Sequence, residues 1–351
     1  MSSAFKMYML SVMRGQKKGF VAALLRSVLR VLSWVYALAI RIVDWAYRSG
    51  LRRVHKIKNI PVISVGNITL GGTGKTPFTI FLANYLSSSG KKPAVLIRGY
   101  GDDERRMLRD EMPEVPVFSG QDRVASALAA ARDGRDILVL DDGFQHRRIG
   151  RDLSIVMLDS GSVFGDGYLF PRGILREPVS SLKRADILVL SKIDKMDDKG
   201  KNDIIRKLQN SFPGKLIVTA RHRPTFLNDV TGAVYSAETL KGQKACLISG
   251  IADPGYFVRA VEDLGALPVL RHDYADHHSY NQKDIDRISA DCRNSGIDSI
   301  VTTKKDYVKM RALDLSAIEE RLLVLDIEMD IVEGKEALVD RLNSVISGDR
   351  G

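Results

Sequence analysis

Ile60-Pro-Val-Ile-Ser-Val65 runs directly into Gly66-Asn-Ile-Thr-Leu-Gly-Gly-Thr-Gly-Lys-Thr76, and this stretch decides the fold. The first part is a short apolar, β-branched run, the pattern of a buried strand. Gly71-Gly72-Thr73-Gly74-Lys75-Thr76 ends as a Walker A loop ends. Glycines let backbone N–H groups turn inward around phosphate oxygens. The helix expected from about Thr76 to Ser88 offers its positive N-terminus to the same anion. Thr69 to Thr76 is therefore expected to cradle a nucleotide, with Thr69 where such loops usually carry their first glycine and Leu70 beside it. Lys75 would reach the β- and γ-phosphates and the Thr76 hydroxyl would hold Mg²⁺. An ordinary Gly-rich turn is the bland alternative; the order strand, loop, Gly-Lys-Thr, helix argues against it.

Outward from the loop, strand and helix alternate. Apolar runs at Lys92–Ile97, Asp136–Asp141, Leu153–Leu158, Asp186–Leu190, Lys215–Ala220, Ala245–Ser249, Ser299–Thr302 and Leu322–Leu325 are separated by helical or loop segments. Short apolar strands between helices predict a mostly parallel α/β sheet of the P-loop NTPase type, covered on both faces. A second, smaller α/β domain is expected from about Gln243, giving an arm over 1–58, a core over 59–242 and a closing domain over 243–351. Asp141-Asp142 closes the strand Ile137–Leu140, the Walker B arrangement, and makes both acids Mg²⁺-ligand candidates. A solvated turn accounts poorly for two acids at the end of a buried strand.

Charge and cysteine usage bound the rest. The 351 residues carry a net charge of +10. Residues 1–60 hold twelve Lys/Arg against Asp44 alone, so the body beyond them is nearly neutral. Cys246 and Cys292 are too few for a disulfide scaffold, and a reducing cytoplasmic compartment fits. The basic arm is also greasy. Its longest uncharged run, Val31 to Ile40, is short of a bilayer span, and no signal-peptide cleavage site follows. At helical spacing Arg26, Arg30, Ser33, Arg41, Asp44 and Arg48 form a thin polar stripe on an otherwise apolar helix. Three readings stay open: an interfacial helix on an anionic membrane, with Arg side chains reaching lipid phosphates; a core helix with a solvated stripe; a nucleic-acid arm. The wide apolar arc and the basic flanks favour the membrane and disfavour nucleic acid.

The motifs together resemble the tetraacyldisaccharide 4′-kinase family of lipid A biosynthesis. The resemblance runs from Leu32-Ser-Trp-Val-Tyr36 to about Lys309. It is carried by Val65–Pro77, Arg98-Gly-Tyr-Gly101, Asp141-Asp-Gly-Phe-Gln-His-Arg147, Leu175-Arg-Glu-Pro178, Asp276-His-His278 and Val301-Thr-Thr-Lys-Lys-Asp306. It implies an enzyme on the cytoplasmic face of an inner membrane that moves the ATP γ-phosphate, with Mg²⁺, onto the 4′-hydroxyl of an acylated glucosamine disaccharide 1-phosphate, the lipid A precursor. It further implies Asp103 as the catalytic base (Asp102 being the alternative), Glu104 as a Mg²⁺ ligand and His277 as the partner of the base. A charged surface turn is what Asp102–Arg106 suggests without the family. Arg98, Arg147, Arg172 and Arg176 lie in motif loops after strands and are candidates to grip the substrate phosphate or the transferring group. For Arg172 and Arg176 the alternative is a surface role, paired with Glu177. Gln145 and His146 stand just beyond the acids as candidate supports.

Two rivals share the loop. A P-loop GTPase is suggested by Ser191-Lys-Ile-Asp194 and Thr303-Lys-Lys-Asp306, both of the Lys-x-Asp form that reads guanine, but Asp141-Asp-Gly lacks the Asp-x-x-Gly switch spacing. A membrane-surface ATPase of the deviant Walker class would carry Lys where Leu70 stands.

Overall fold

A computed structural model describes residues 12, 17, 19–99, 102–318 and 322–348; at 102–104 it describes the backbone only. Among the described residues twelve strands form one sheet in the order β10-β9-β11-β12-β7-β6-β5-β1-β4-β2-β3, with β8 (Val234–Ser236) paired to β7. The first half contains β1 (Val62–Asn67), β2 (Pro93–Ile97), β3 (Val117–Ser119), β4 (Ile137–Leu140), β5 (Leu153–Asp159), β6 (Ile187–Ser191) and the start of β7 (Leu216–Asp229), all parallel. Alternate residues of β1 serve opposite faces. Ile63 and Val65 join Phe78, Leu82 and Leu86 on one side, and Val62 joins Leu138, Ala127 and Ala130 on the other. Helices on both faces are what lets strands this apolar stay out of water.

The second half contains β9 (Lys244–Ser249), β10 (Leu267–Asp273), β11 (Ser299–Thr303) and the first residues of β12 (Leu322–Glu333), again parallel. The halves are joined by an antiparallel ribbon in which β7 pairs with β12 from Leu323–Asp229 to Glu333–Thr219. β12 then feeds a C-terminal helix, Lys335–Ser347, whose Leu338 and Leu342 return to the core of the first half. The sequence reading ended both ribbon strands early and took 221–242 as a boundary. The ribbon is not a continuous apolar run: Arg221 pairs with Asp330 at 2.9 Å and Arg223 with Glu328 at 3.1 Å across it. β10 was missed for the same reason, since its residues alternate between exposed and half-buried.

α1, the helix Phe20–Arg48, corrects the expected orientation of its polar stripe. Its middle turns inward. The Ser33 hydroxyl donates to the Leu169 carbonyl at 2.8 Å and accepts the Arg172 N–H at 3.0 Å. Tyr36 Oη donates to the Arg176 carbonyl at 2.9 Å, Arg30 reaches Tyr168 Oη at 3.1 Å, and Asp44 pairs with Arg147. Phe20, Val21, Trp34, Val35, Leu38 and Trp45 face outward, each more than half exposed. A core helix with a solvated stripe is therefore excluded. By length and composition α1 is also long and apolar enough to cross a membrane, which its uncharged run alone understates.

Candidate active site

β1 delivers the chain to Gly71–Thr76, and α2 (Lys75–Ser88) starts at Lys75. Gly74 caps α2 in the left-handed region at φ +80°, and a Cβ there would lie 2.8 Å from His222 Nε2. Both facts require glycine. At Gly72 a Cβ would make a tight contact, 3.2 Å from the Ala252 Cβ of the second half. The carboxyl ends of strands from both halves face one cleft of about 1560 Å³, with the ribbon as its floor. This is where open α/β sheets bind ligands.

Opposite the loop, β4 presents its two acids. Asp141 is buried and accepts Thr79 Oγ1 at 3.2 Å and the Asp142 N–H at 2.9 Å. Burial pushes its carboxyl above the usual range, although the Lys75 charge opposes this. Asp142 takes φ +50°, which turns its carboxylate toward Lys75 Nζ at 3.6 Å and into a fork with Arg176 at 2.9 and 3.1 Å. Burial raises its pKa too, but Lys75 and Arg176 together outweigh that and hold it low. Arg176 also bonds Asn67 Oδ1 at 3.2 Å, and Asn67 Nδ2 reaches Thr73 Oγ1 at 3.1 Å, so the acid, the arginine and the loop are one network. Thr76 and the two aspartates are hard oxygen donors, the chemistry Mg²⁺ takes. Among the described residues no cluster of three or more His, Cys, Asp or Glu forms a complete cage.

The second half contributes its own loops. Asp276 and His277 follow β10, and Lys304 and Lys305 follow β11; all four line the cleft. His277 sits at φ +62°, with Nε2 3.7 Å from Asp276. Asp103 and Glu104 lie in the first turn of α3 (Asp102–Glu111), and their side chains fall outside the described residues.

Of the arginines, Arg98 and Arg176 line the cleft. Arg147 and Arg172 lie beneath α1 instead. Arg147 joins Asp44 to Glu177, and the Arg172 guanidinium stacks 4.4 Å from the Tyr168 ring centroid. Arg176 pairs with Asp142, while buried Glu177 is met by Arg184 and Arg147. Thr69 and Leu70 are held against the 168–176 strap, Thr69 by a bridge to Leu175 and the Leu70 N–H by the Ile174 carbonyl at 2.7 Å. Gln145 supports the site by donating to the Asn67 carbonyl at 2.7 Å.

The sequence reading missed the contact that sets the second half on the loop. Lys192 is buried, with Nζ 2.7 Å from Asp159 and 2.8 Å from Asp253. Burial raises the Asp253 pKa, yet bonds from Lys192 and Lys195 draw it down to about 2. Tyr256 Oη donates to Asp194 at 2.9 Å and accepts the His222 N–H at 3.3 Å. The Ser191–Asp194 motif is thus engaged with the second half, a use that its Lys-x-Asp spacing alone does not disclose. His222 Nε2 is buried without a hydrogen-bond partner among the described residues, and burial, followed by the Lys192 charge, lowers its pKa to about 4.

A strand-borne phosphate loop, a lysine, paired acids and a second half lining the same cleft define a P-loop phosphotransferase site. The comparisons narrow that class to one family. The chain matches the family described as Tetraacyldisaccharide-1-P 4'-kinase over residues 25–109 and 102–347, and it belongs to that family. It is 35% identical to the Tetraacyldisaccharide 4'-kinase of Anaeromyxobacter sp. (strain K), covering 82% of each chain. It is 32% identical to that of Pelobacter propionicus, covering 99% of each. The crystal structure of LpxK from Aquifex aeolicus in complex with ATP is similar at TM-score 0.71 and 26% identity, covering 92% of this chain and 99% of that one.

Proposed function

We propose that this protein transfers the γ-phosphoryl group of ATP to the 4′-hydroxyl of a tetraacyl glucosamine disaccharide 1-phosphate, with Mg²⁺, at the cytoplasmic face of an inner membrane. The observation that carries the reading is the Lys75–Asp142–Arg176 network at the loop of a chain in this family. ATP supplies the phosphoryl group; Thr76, Asp141, Asp142 and Glu104 would hold Mg²⁺, which would offset the phosphate charge. Lys75 neutralises the triphosphate, and the backbone of 71–76 fixes its place. Asp103 orients the acceptor hydroxyl and takes its proton as the new P–O bond forms and the β–γ bridge breaks. His277, from the unit that begins near 243, would support that carboxylate. Arg98 and Arg176, which line the cleft, would grip the transferring group, and Arg147 and Arg172, beneath α1, would meet the substrate phosphate.

The membrane reading rests on the outward apolar face of α1 and the basic residues Arg52, Arg53, Lys56 and Lys58 that follow it. Such a face lies in the headgroup region while cations meet anionic lipid. Incubation of the purified protein with γ-labelled ATP and a disaccharide 1-phosphate lipid tests the reaction. Label is expected on the sugar, at a hydroxyl distinct from the existing phosphate. Release of free phosphate alone, independent of acceptor, would favour the membrane-surface ATPase instead.

A further inference from the structure

The Thr303-Lys304-Lys305-Asp306 turn was one of two motifs that a guanine reader would use, and the structure gives it another task. β11 ends at Thr303, and α8 (Lys304–Met310) begins at once. The turn is stiff. Thr303 Oγ1 accepts the Asp306 N–H at 3.2 Å and donates to its carboxylate at 2.7 Å, and Asp306 is fully buried. Such a reciprocal cap fixes where the first helical side chains point.

Those two side chains diverge to opposite partners. Lys304 binds Glu111, the last residue of the helix whose first turn holds Asp103. It also lies 3.5 Å from Asp326, which falls at a register shift between Leu325 and Ile327 in the ribbon. A bulge of that kind re-aims a side chain. A second cross-half pair, Arg311 with Asp110 at 2.8 Å, holds the same two helices together. Lys305 instead binds Asp276 at 2.8 Å, the residue directly before His277. His277 occupies the left-handed region at φ +62°, uncommon for a residue with a side chain. Its backbone therefore needs support from its neighbours to persist.

We propose that Lys304 and Lys305 are positioning residues: Lys304 holds the helix that carries Asp103, Lys305 holds the loop that carries His277, and the capped turn between them sets the two candidate catalytic groups against each other. The inference rests on the catalytic reading of Asp103 and His277. It assigns the motif to positioning the candidate catalytic groups rather than to reading a guanine base.

The test uses the full chain. Lys304→Met and Lys305→Met keep length and remove charge. Each is expected to lower kcat about tenfold or more, since small displacements of reacting groups cost that much. KM for ATP should stay within about twofold, because neither residue belongs to the loop that binds the triphosphate. In an Asp103→Ala background the Lys304→Met loss should vanish, the sign of two residues acting as one unit. Exchange of the pair, Lys304→Glu with Glu111→Lys, made with Asp326→Asn to remove the facing acid, should restore most of kcat. That exchange also serves if a single variant folds poorly. Unchanged kcat in both methionine variants, a rise in KM for ATP, or no recovery in the exchange would each overturn the proposal. Turnover surviving in Asp103→Ala alone would instead overturn the catalytic reading; recovery in the exchange would still support the link between the halves.

Discussion

The helices α1 and α2 obey one rule and end in opposite postures. Along α2 the large apolar side chains Phe78, Leu82 and Leu86 are wholly buried against the sheet. Along α1 the polar side chains Ser33, Tyr36 and Asp44 face the protein, and Trp34, Leu38 and Trp45 face away. Apolar surface is driven out of water in both cases. For α2 the partner is the fold itself. For α1 no such partner lies among the described residues, and a contiguous apolar face of this kind marks an interaction surface. The inward bonds of α1 also mean that it is joined to the site: Tyr36 holds the carbonyl of Arg176, and the Arg176 guanidinium holds Asp142.

The comparison can be tested from each side. Lys75→Ala, at the start of α2, should lower kcat by about 10²–10³-fold, as loss of one preorganised charge partner does. Transfer of label from ATP to lipid measures it, with vesicle binding expected to stay unchanged. Leu38→Glu, on the outer face of α1, should do the reverse. It should weaken sedimentation with anionic vesicles about 10- to 100-fold, from the loss of a Leu-sized apolar contact, and leave the melting temperature of the free protein unchanged. Equal loss of stability would mean that this face is buried by the protein after all.

Ser33→Ala, on the inner face, should cost about 1–3 kcal/mol by stranding the Arg172 N–H and the Leu169 carbonyl. Denaturant midpoints measure that, and vesicle binding should hold. The smallest effect expected is in pH. His222 beside the loop is held to about 4 from 6.5, by burial first and then by lysine charge. The unfolded chain therefore binds more protons between those values, so stability falls as pH drops from 6.5 toward 4. His146 contributes in the same direction, also held to about 4 by burial and neighbouring arginines. Melting temperatures of His222→Gln across this window should fall less steeply than those of the parent chain.

Where the physics was local, the sequence was legible. Gly71–Thr76 and Asp141-Asp142 could be read directly, because a phosphate loop and an acid-tipped strand need fixed residue types at fixed spacing. The core strands could be read because burial on both faces leaves an apolar run. The ribbon could not. Arg221 and Arg223 are stabilised by Asp330 and Glu328 more than a hundred residues later, and nothing near them in sequence announces a strand. The same distance hid Asp253 and Tyr256, whose partners Lys192 and Asp194 carry a motif that suggests another use.

The amino-acid order by itself settled that a phosphate loop and a twin-acid strand tip exist and that a helix near residue 30 is amphipathic, since each depends on neighbours within a few residues. Which way that helix faces, which arginine reaches Asp142, and how Lys304 links the two sides of the cleft were decided only on folding. Those outcomes depend on distances between segments far apart in the chain, and hydrophobic burial sets such distances collectively.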